Sequence, residues 1–128
     1  MTDEGLTYDT GALIAAERDD RLVWSLHRTA LGRGQRPTVP AGVLAEAWRG
    51  GPQHRLSRLL VGCNVEVLTE EQARAVGNLC AQSGLADTVD VAVAEGALRR
   101  SQAVVTSNRA HIEQVADAAG RRLPIHDV

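Results

Sequence analysis

Leu6-Thr7-Tyr8-Asp9-Thr10-Gly11-Ala12-Leu13-Ile14-Ala15-Ala16 is the stretch on which the reading of this chain turns. A short strand-like run ends at an acid, Thr10-Gly11 turns the chain, and an apolar run with helical character follows at once. The segment therefore reads as strand, turn, helix. An Asp that ends a strand sits at the carboxyl edge of a sheet, which is where open α/β folds keep their ligands. Asp is also a good helix N-cap, so Asp9 suits both a site role and a capping role.

Working outward, the same alternation repeats. Asp19-Asp20 caps a second helix carrying Leu22, Val23, Leu26 and Ala30, and Gly32 and Gly34 stop it. Pro37-Thr38-Val39 reads as a short strand, and Pro40 opens a helix from Ala41 to Trp48 that Gly50-Gly51-Pro52 closes. His54 to Val61 has helical spacing, and Val65-Glu66-Val67-Leu68 alternates as a strand. Thr69-Glu70-Glu71-Gln72 has the form of a capping box opening a helix that runs to Ser83-Gly84. Asp87 opens a further helix through Leu98, and Ala103-Val104-Val105-Thr106 is a β-branched run typical of a buried parallel strand. Asn108 begins the last helix, Gly120 ends it, and Leu123-Pro124-Ile125 reads as a final strand. Strands alternating with helices specify a parallel sheet covered on both faces.

The chain has 128 residues, the usual size of one domain, and no linker or repeat divides it, so residues 1–128 are read as a single domain. Its apolar residues are almost all Ala, Val and Leu, with no Phe, one Tyr and two Trp. Recognition of single-stranded nucleic acid on stacked aromatic rings is thereby excluded. A net charge of −2 also excludes the broad basic footprint of a duplex-DNA binder.

All 14 basic residues are Arg. Without a Lys, neither phosphoryl-accepting domains of the receiver or haloacid-dehalogenase type nor P-loop nucleotide hydrolases have their required cation. His27, His54, His111 and His126 form no spaced ligand pair and meet no Ser or Cys nucleophile motif. Cys63 and Cys80 stand alone and read as reduced thiols. Neither a basic leader with an apolar core nor an apolar run of about 20 residues is present, so a cytoplasmic protein without a membrane span is expected.

The acids carry the chemistry. Asp87 and Asp90 are three residues apart, and helical spacing puts them on the side of Val91, Ala94 and Leu98, the stripe expected to face the sheet. Inward carboxylates repel one another and resist desolvation unless a cation or several donors compensate them; capping by Asp87 is the competing reading. Glu46, between Leu44-Ala45 and Ala47-Trp48, lies at the margin of its helix's apolar face and suits either a solvated position or a lean over the sheet edge. Carboxylates gathered from several elements fit Mg²⁺ or Mn²⁺ better than zinc. A cation so held supports phosphodiester hydrolysis without a side-chain nucleophile.

With these residues in view the chain resembles the PIN-domain family of metal-dependent ribonucleases, and more narrowly the VapC-type toxins of bacterial toxin-antitoxin pairs. The resemblance rests on Asp9-Thr10-Gly11-Ala12-Leu13-Ile14, on Val39-Pro40 followed by Val43-Leu44-Ala45-Glu46, and on Asp90-Val91-Ala92-Val93-Ala94 leading to Val104-Val105-Thr106-Ser107-Asn108. It covers essentially the whole chain and implies a three-layer α/β/α sandwich with a short, mainly parallel sheet. It further implies endoribonuclease activity with Mg²⁺ or Mn²⁺, in which Asp9, Glu46 and Asp90 are the catalytic and metal-binding acids and Asp87 an additional acid near the metal. Thr10, Ser107 and Asn108 are then supporting residues around the ligands. Asn108 departs from the family, which commonly has Asp there, and His111 stands where a further acid often occurs.

A homodimer and a small VapB-type antitoxin are implied as well. Arg49 and Arg109, with Arg55 and Arg58, fall near the site elements as candidates for RNA phosphates, whereas Arg99-Arg100 and Arg121-Arg122 suit helix C-termini. The alternative is a non-catalytic PIN-like module that binds metal or RNA, its lost activity marked by Asn108.

Overall fold

The computed structural model describes residues 4–128. In chain order the elements are β1 (Leu6–Tyr8), α1 (Thr10–Glu17), α2 (Arg21–Gly32), β2 (Thr38–Pro40), α3 (Ala41–Ala47), α4 (His54–Val61) and β3 (Asn64–Glu66). They continue with α5 (Glu70–Ser83), α6 (Thr88–Arg100), β4 (Ala103–Thr106), α7 (Arg109–Ala118) and β5 (Ile125–Asp127).

Local chemistry sets most of these boundaries. Asp20 caps α2 by accepting from the Val23 amide, and Thr69 with Gln72 forms a reciprocal capping box on α5. Gly84 ends α5 at φ 77°, a left-handed conformation that glycine adopts without a Cβ penalty. Three strands differ from expectation: β2 lies one residue later, over Thr38–Pro40, and takes in the proline expected to open α3. β3 begins one residue early, at Asn64, and releases Val67 and Leu68 to solvent; β5 lies two residues later than expected, over Ile125–Asp127.

The five strands are all parallel, in the order β3-β2-β1-β4-β5. From β1 the chain builds outward through β2 and β3, then crosses back to the other side of β1 for β4 and β5. The reversal falls between β1 and β4, so their carboxyl ends form the crevice where such sheets bind ligands. In register, Tyr8 stands opposite Val105 and Thr7 opposite Thr38.

Helix α1 packs on α3 and α4, whereas α5, α6 and α7 pack on one another, giving the α/β/α layering. Tyr8, Val39, Val104 and Val105 are fully buried in the sheet. Helix α6 runs through the core, with Val91 and every residue from Val93 to Leu98 buried. Behind β1, the Tyr8 hydroxyl lies 2.9 Å from Nδ1 of buried His27, whose ring meets Trp24 edge-on. Burial keeps His27 neutral below its usual range and pushes the Cys63 thiol up to about 12, which leaves that thiol inert. Among the described residues, no helix is long and apolar enough to cross a membrane.

Candidate active site

Asp9 follows β1 directly and caps α1, so both roles open to it in sequence are filled by one side chain. Its backbone amide donates to the Val105 carbonyl, which fixes it across the switch point against β4. Oδ1 accepts from the Ala12 amide at 2.8 Å; Oδ2 accepts from the Thr106 hydroxyl at 2.5 Å and the Ser107 amide at 3.2 Å. Only 5% of the residue is exposed. Desolvation raises the Asp9 carboxyl above its ordinary value despite these three donors, and the charge of Asp90 raises it further.

Gly11 is what allows α1 to start so close to β4. A Cβ there would fall on the Ser107 side chain and 3.3 Å from its backbone nitrogen.

Asp90 occupies the first turn of α6 and reaches across to α7, where its Oδ2 is 2.9 Å from Nδ1 of His111. Asn108 caps α7; its Nδ2 is 2.8 Å from the same His111 nitrogen, and its own amide donates to the Thr106 hydroxyl. Polar contacts therefore run unbroken from Asp9 through Thr106, Asn108 and His111 to Asp90.

Glu46 is exposed, and its Oε1 accepts from the Thr10 hydroxyl at 2.5 Å, so α3 does lean over the same edge. The packing that allows this passes through Gly42, where a Cβ would stand 3.3 Å from Val89 of α6. Asp87 is different. It is exposed and turns its Oδ1 onto the Val89 and Asp90 amides of its own helix, which makes it the α6 cap.

Six of the residues singled out in sequence, Asp9, Thr10, Glu46, Asp90, Ser107 and Asn108, thus meet at one edge. Ser107 acts on Asp9 through its backbone amide. Sequence reasoning gave no role to Thr106, whose buried hydroxyl supports Asp9, and left His111 outside the site. The signals for Thr106 were its place as the last residue of a buried strand and its presence in the segment 104–108 that carries the resemblance.

The arginines divide cleanly. Arg109 is held by Asp127 and Glu113, and Arg49 donates to the Ala45 and Trp48 carbonyls. Arg55 stands 3.7 Å from Asp19, Arg58 lies over the Trp24 ring, and Arg121 donates to the Leu98 carbonyl. Arg99 and Arg100 do more than face a helix dipole, because both bind Glu66. No Arg is recorded bonding to Asp9, Glu46 or Asp90 among the described residues.

Whether these residues suit a divalent cation can be judged from the donor set. Among the described residues no three His, Cys, Asp or Glu side chains are gathered closely enough to form a ready cage. What is present is a pair of electrostatically coupled carboxylates with no counter-charge from Arg, and a third, Glu46, on the rim. That donor set fits Mg²⁺, which keeps several waters and commonly uses only one or two carboxylates.

No family model matches the chain, and no curated protein matches it in sequence. Among solved structures it is similar to a chain in the crystal structure of VapBC2 from Rickettsia felis bound to a DNA fragment from their promoter. The TM-score is 0.71 over 96% of this chain and 98% of that chain, at 15% sequence identity. The likeness is one of fold, and the three-layer, parallel, PIN-like architecture expected from the sequence is the architecture found.

Proposed function

We propose that this chain is a metal-dependent endoribonuclease and the toxin of a toxin-antitoxin pair, acting on RNA with Mg²⁺ or Mn²⁺ and restrained by a small VapB-type partner. The observation that carries the proposal is the pair Asp9 and Asp90, two carboxylates that interact electrostatically, with no Arg partner among the described residues, at the switch point of a PIN-like sheet. The similarity to a chain of the VapBC2 assembly supports the toxin and partner parts of the reading. A homodimer and a cytoplasmic location go with it.

Asp9 and Asp90 would hold the cation, with Glu46 at the rim. When bound, a divalent cation neutralises phosphoryl charge and lowers the pKa of a water. The chain's own residues prepare the place for it. The Ala12 and Ser107 amides and the Thr106 hydroxyl fix both Asp9 oxygens, so the carboxylate needs no reorganisation. Thr10 occupies one oxygen of Glu46 and leaves Oε2 to orient a water or accept its proton. Asp87, committed to its helix, adds negative charge near the site.

The absence of a ready three-ligand cage among the described residues and the neutral Asn108 favour a second reading, a non-catalytic module of the same fold. Incubation with single-stranded and hairpin RNA separates the two. Cleavage is expected with Mg²⁺ or Mn²⁺ and should vanish in chelator and in Asp9→Asn or Asp90→Asn. Cleavage that persists in chelator, or survives both substitutions, overturns the catalytic reading.

A further inference from the structure

His111 lies beside Asp90 with two claimants on one nitrogen. Its Nδ1 is 2.9 Å from Asp90 Oδ2 and 2.8 Å from Asn108 Nδ2. A protonated Nδ1 donates to the carboxylate; a bare Nδ1 accepts from the amide and leaves two lone-pair atoms, Nδ1 and Oδ2, facing each other. The two states exclude one another.

Chemistry favours the first. A carboxylate is the stronger acceptor, and a hydrogen bond to a charged group is worth roughly twice a neutral one. The amide of Asn108 can also turn over, placing its oxygen toward Nδ1–H, at the cost of only the 3.5 Å contact from the His111 amide. Helix α7, which carries the ring, is anchored through buried Ile112 and Val115 and through Arg109 on Asp127.

We infer that His111 is a positioning residue for Asp90: Nδ1–H clamps Oδ2 and leaves Oδ1 for the cation. The inference rests on the reading of Asp9 and Asp90 as cation ligands, but the clamp itself exists without metal. It gives His111 a role other than that of an added ligand, in keeping with the absence of a three-ligand cage among the described residues. It also explains how a side chain other than an acid serves at this point: it donates to one acid and adds no negative charge beside Asp9 and Asp90.

The tautomer is read first, on the metal-free protein, by long-range ¹H–¹⁵N correlation of the His111 ring. A proton on Nδ1 is expected; a bare Nδ1, with the proton on Nε2 alone, overturns the clamp. Titration with Mn²⁺ then compares His111→Asn, whose amide nitrogen falls where Nδ1 was, with His111→Gln, whose nitrogen falls at Nε2, and His111→Ala.

The Asn variant should stay within about threefold of wild type, while Gln and Ala weaken binding about 10-fold or more, the usual scale for groups that orient a ligand. Equal weakening in all three, or retention by Gln alone, overturns the clamp. If wild type binds no Mn²⁺, the nuclease reading fails, and the tautomer still decides the clamp.

Discussion

Two clusters of acids in this molecule are built to opposite rules. On one side of the sheet Glu66 and Glu95 are met by Arg99 and Arg100: Arg99 bridges both glutamates, and Arg100 reaches Glu66, Gln102 and Thr7. At the switch point Asp9 and Asp90 have donors but no Arg partner. The consequences are opposite in sign: the two guanidiniums hold the Glu66 carboxyl below its usual range, whereas burial and Asp90 push Asp9 above its own. A chain with 14 Arg and a solved counter-charge problem at Glu66 had the means to neutralise Asp9 as well. Folding gains nothing from such a pair, which is why it supports the proposed site.

The largest effect that would break or sharpen this contrast lies in activity. Asp9→Asn and Asp90→Asn should each lower RNA cleavage by at least about 100-fold, since even groups that merely orient a ligand are worth roughly 10- to 100-fold. Glu66→Gln should leave the rate nearly unchanged. Gly11→Ala comes next. Its Cβ must displace Ser107 and with it an amide that supports Asp9. A loss of about 1–3 kcal/mol in urea unfolding is expected from such overpacking, together with weakened cation binding.

Glu66→Ala is smaller and purely structural. It should cost about 1–2 kcal/mol, because Arg100 is left half-satisfied yet keeps Gln102 and Thr7. Cation affinity should not move.

The two clusters also separate under acid. Glu66, with its folded value depressed, contributes stability that is complete above its ordinary value of 4.5 and is lost as pH falls through the lower folded value. Asp9, with its folded value raised, does the reverse: ionisation costs stability as pH rises through the range above 3.8, so acid relieves it. His27, buried and neutral, adds a third dependence. The unfolded chain takes up its proton below 6.5 while the fold does not, so the urea midpoint should begin to fall as pH drops below 6.5. A midpoint that stays flat from pH 7 to 5 would remove His27 from this account.

Much of the frame was readable because its signals are local. β1 with α1, the capping box of α5, the Asp87 cap and β4 each depend on residues within a few positions of one another. β3 and β5 were displaced because distant partners set them. Arg36 binds Asn64 and the Val61 and Cys63 carbonyls, drawing the strand start toward Asn64, and Arg109 holds Asp127 beyond Pro124.

The same distinction runs through the site. That Asp9 ends a strand was local information. That Asp90 points to His111, 21 residues on, and that Thr106 reaches Asp9 across 97 residues, depended on how α6, α7 and β4 meet. The inward carboxylate expected of Asp87 was instead consumed by its own helix, since a cap competes for the same oxygen.

The central claim is that the acid pair without an Arg partner at the switch point is a cation site, and calorimetric titration of the chain with Mn²⁺ tests it most directly. The account predicts saturable binding that is lost in Asp9→Asn and in Asp90→Asn and kept in Glu66→Gln. No binding by the wild type, or binding that survives both aspartate substitutions, would contradict it.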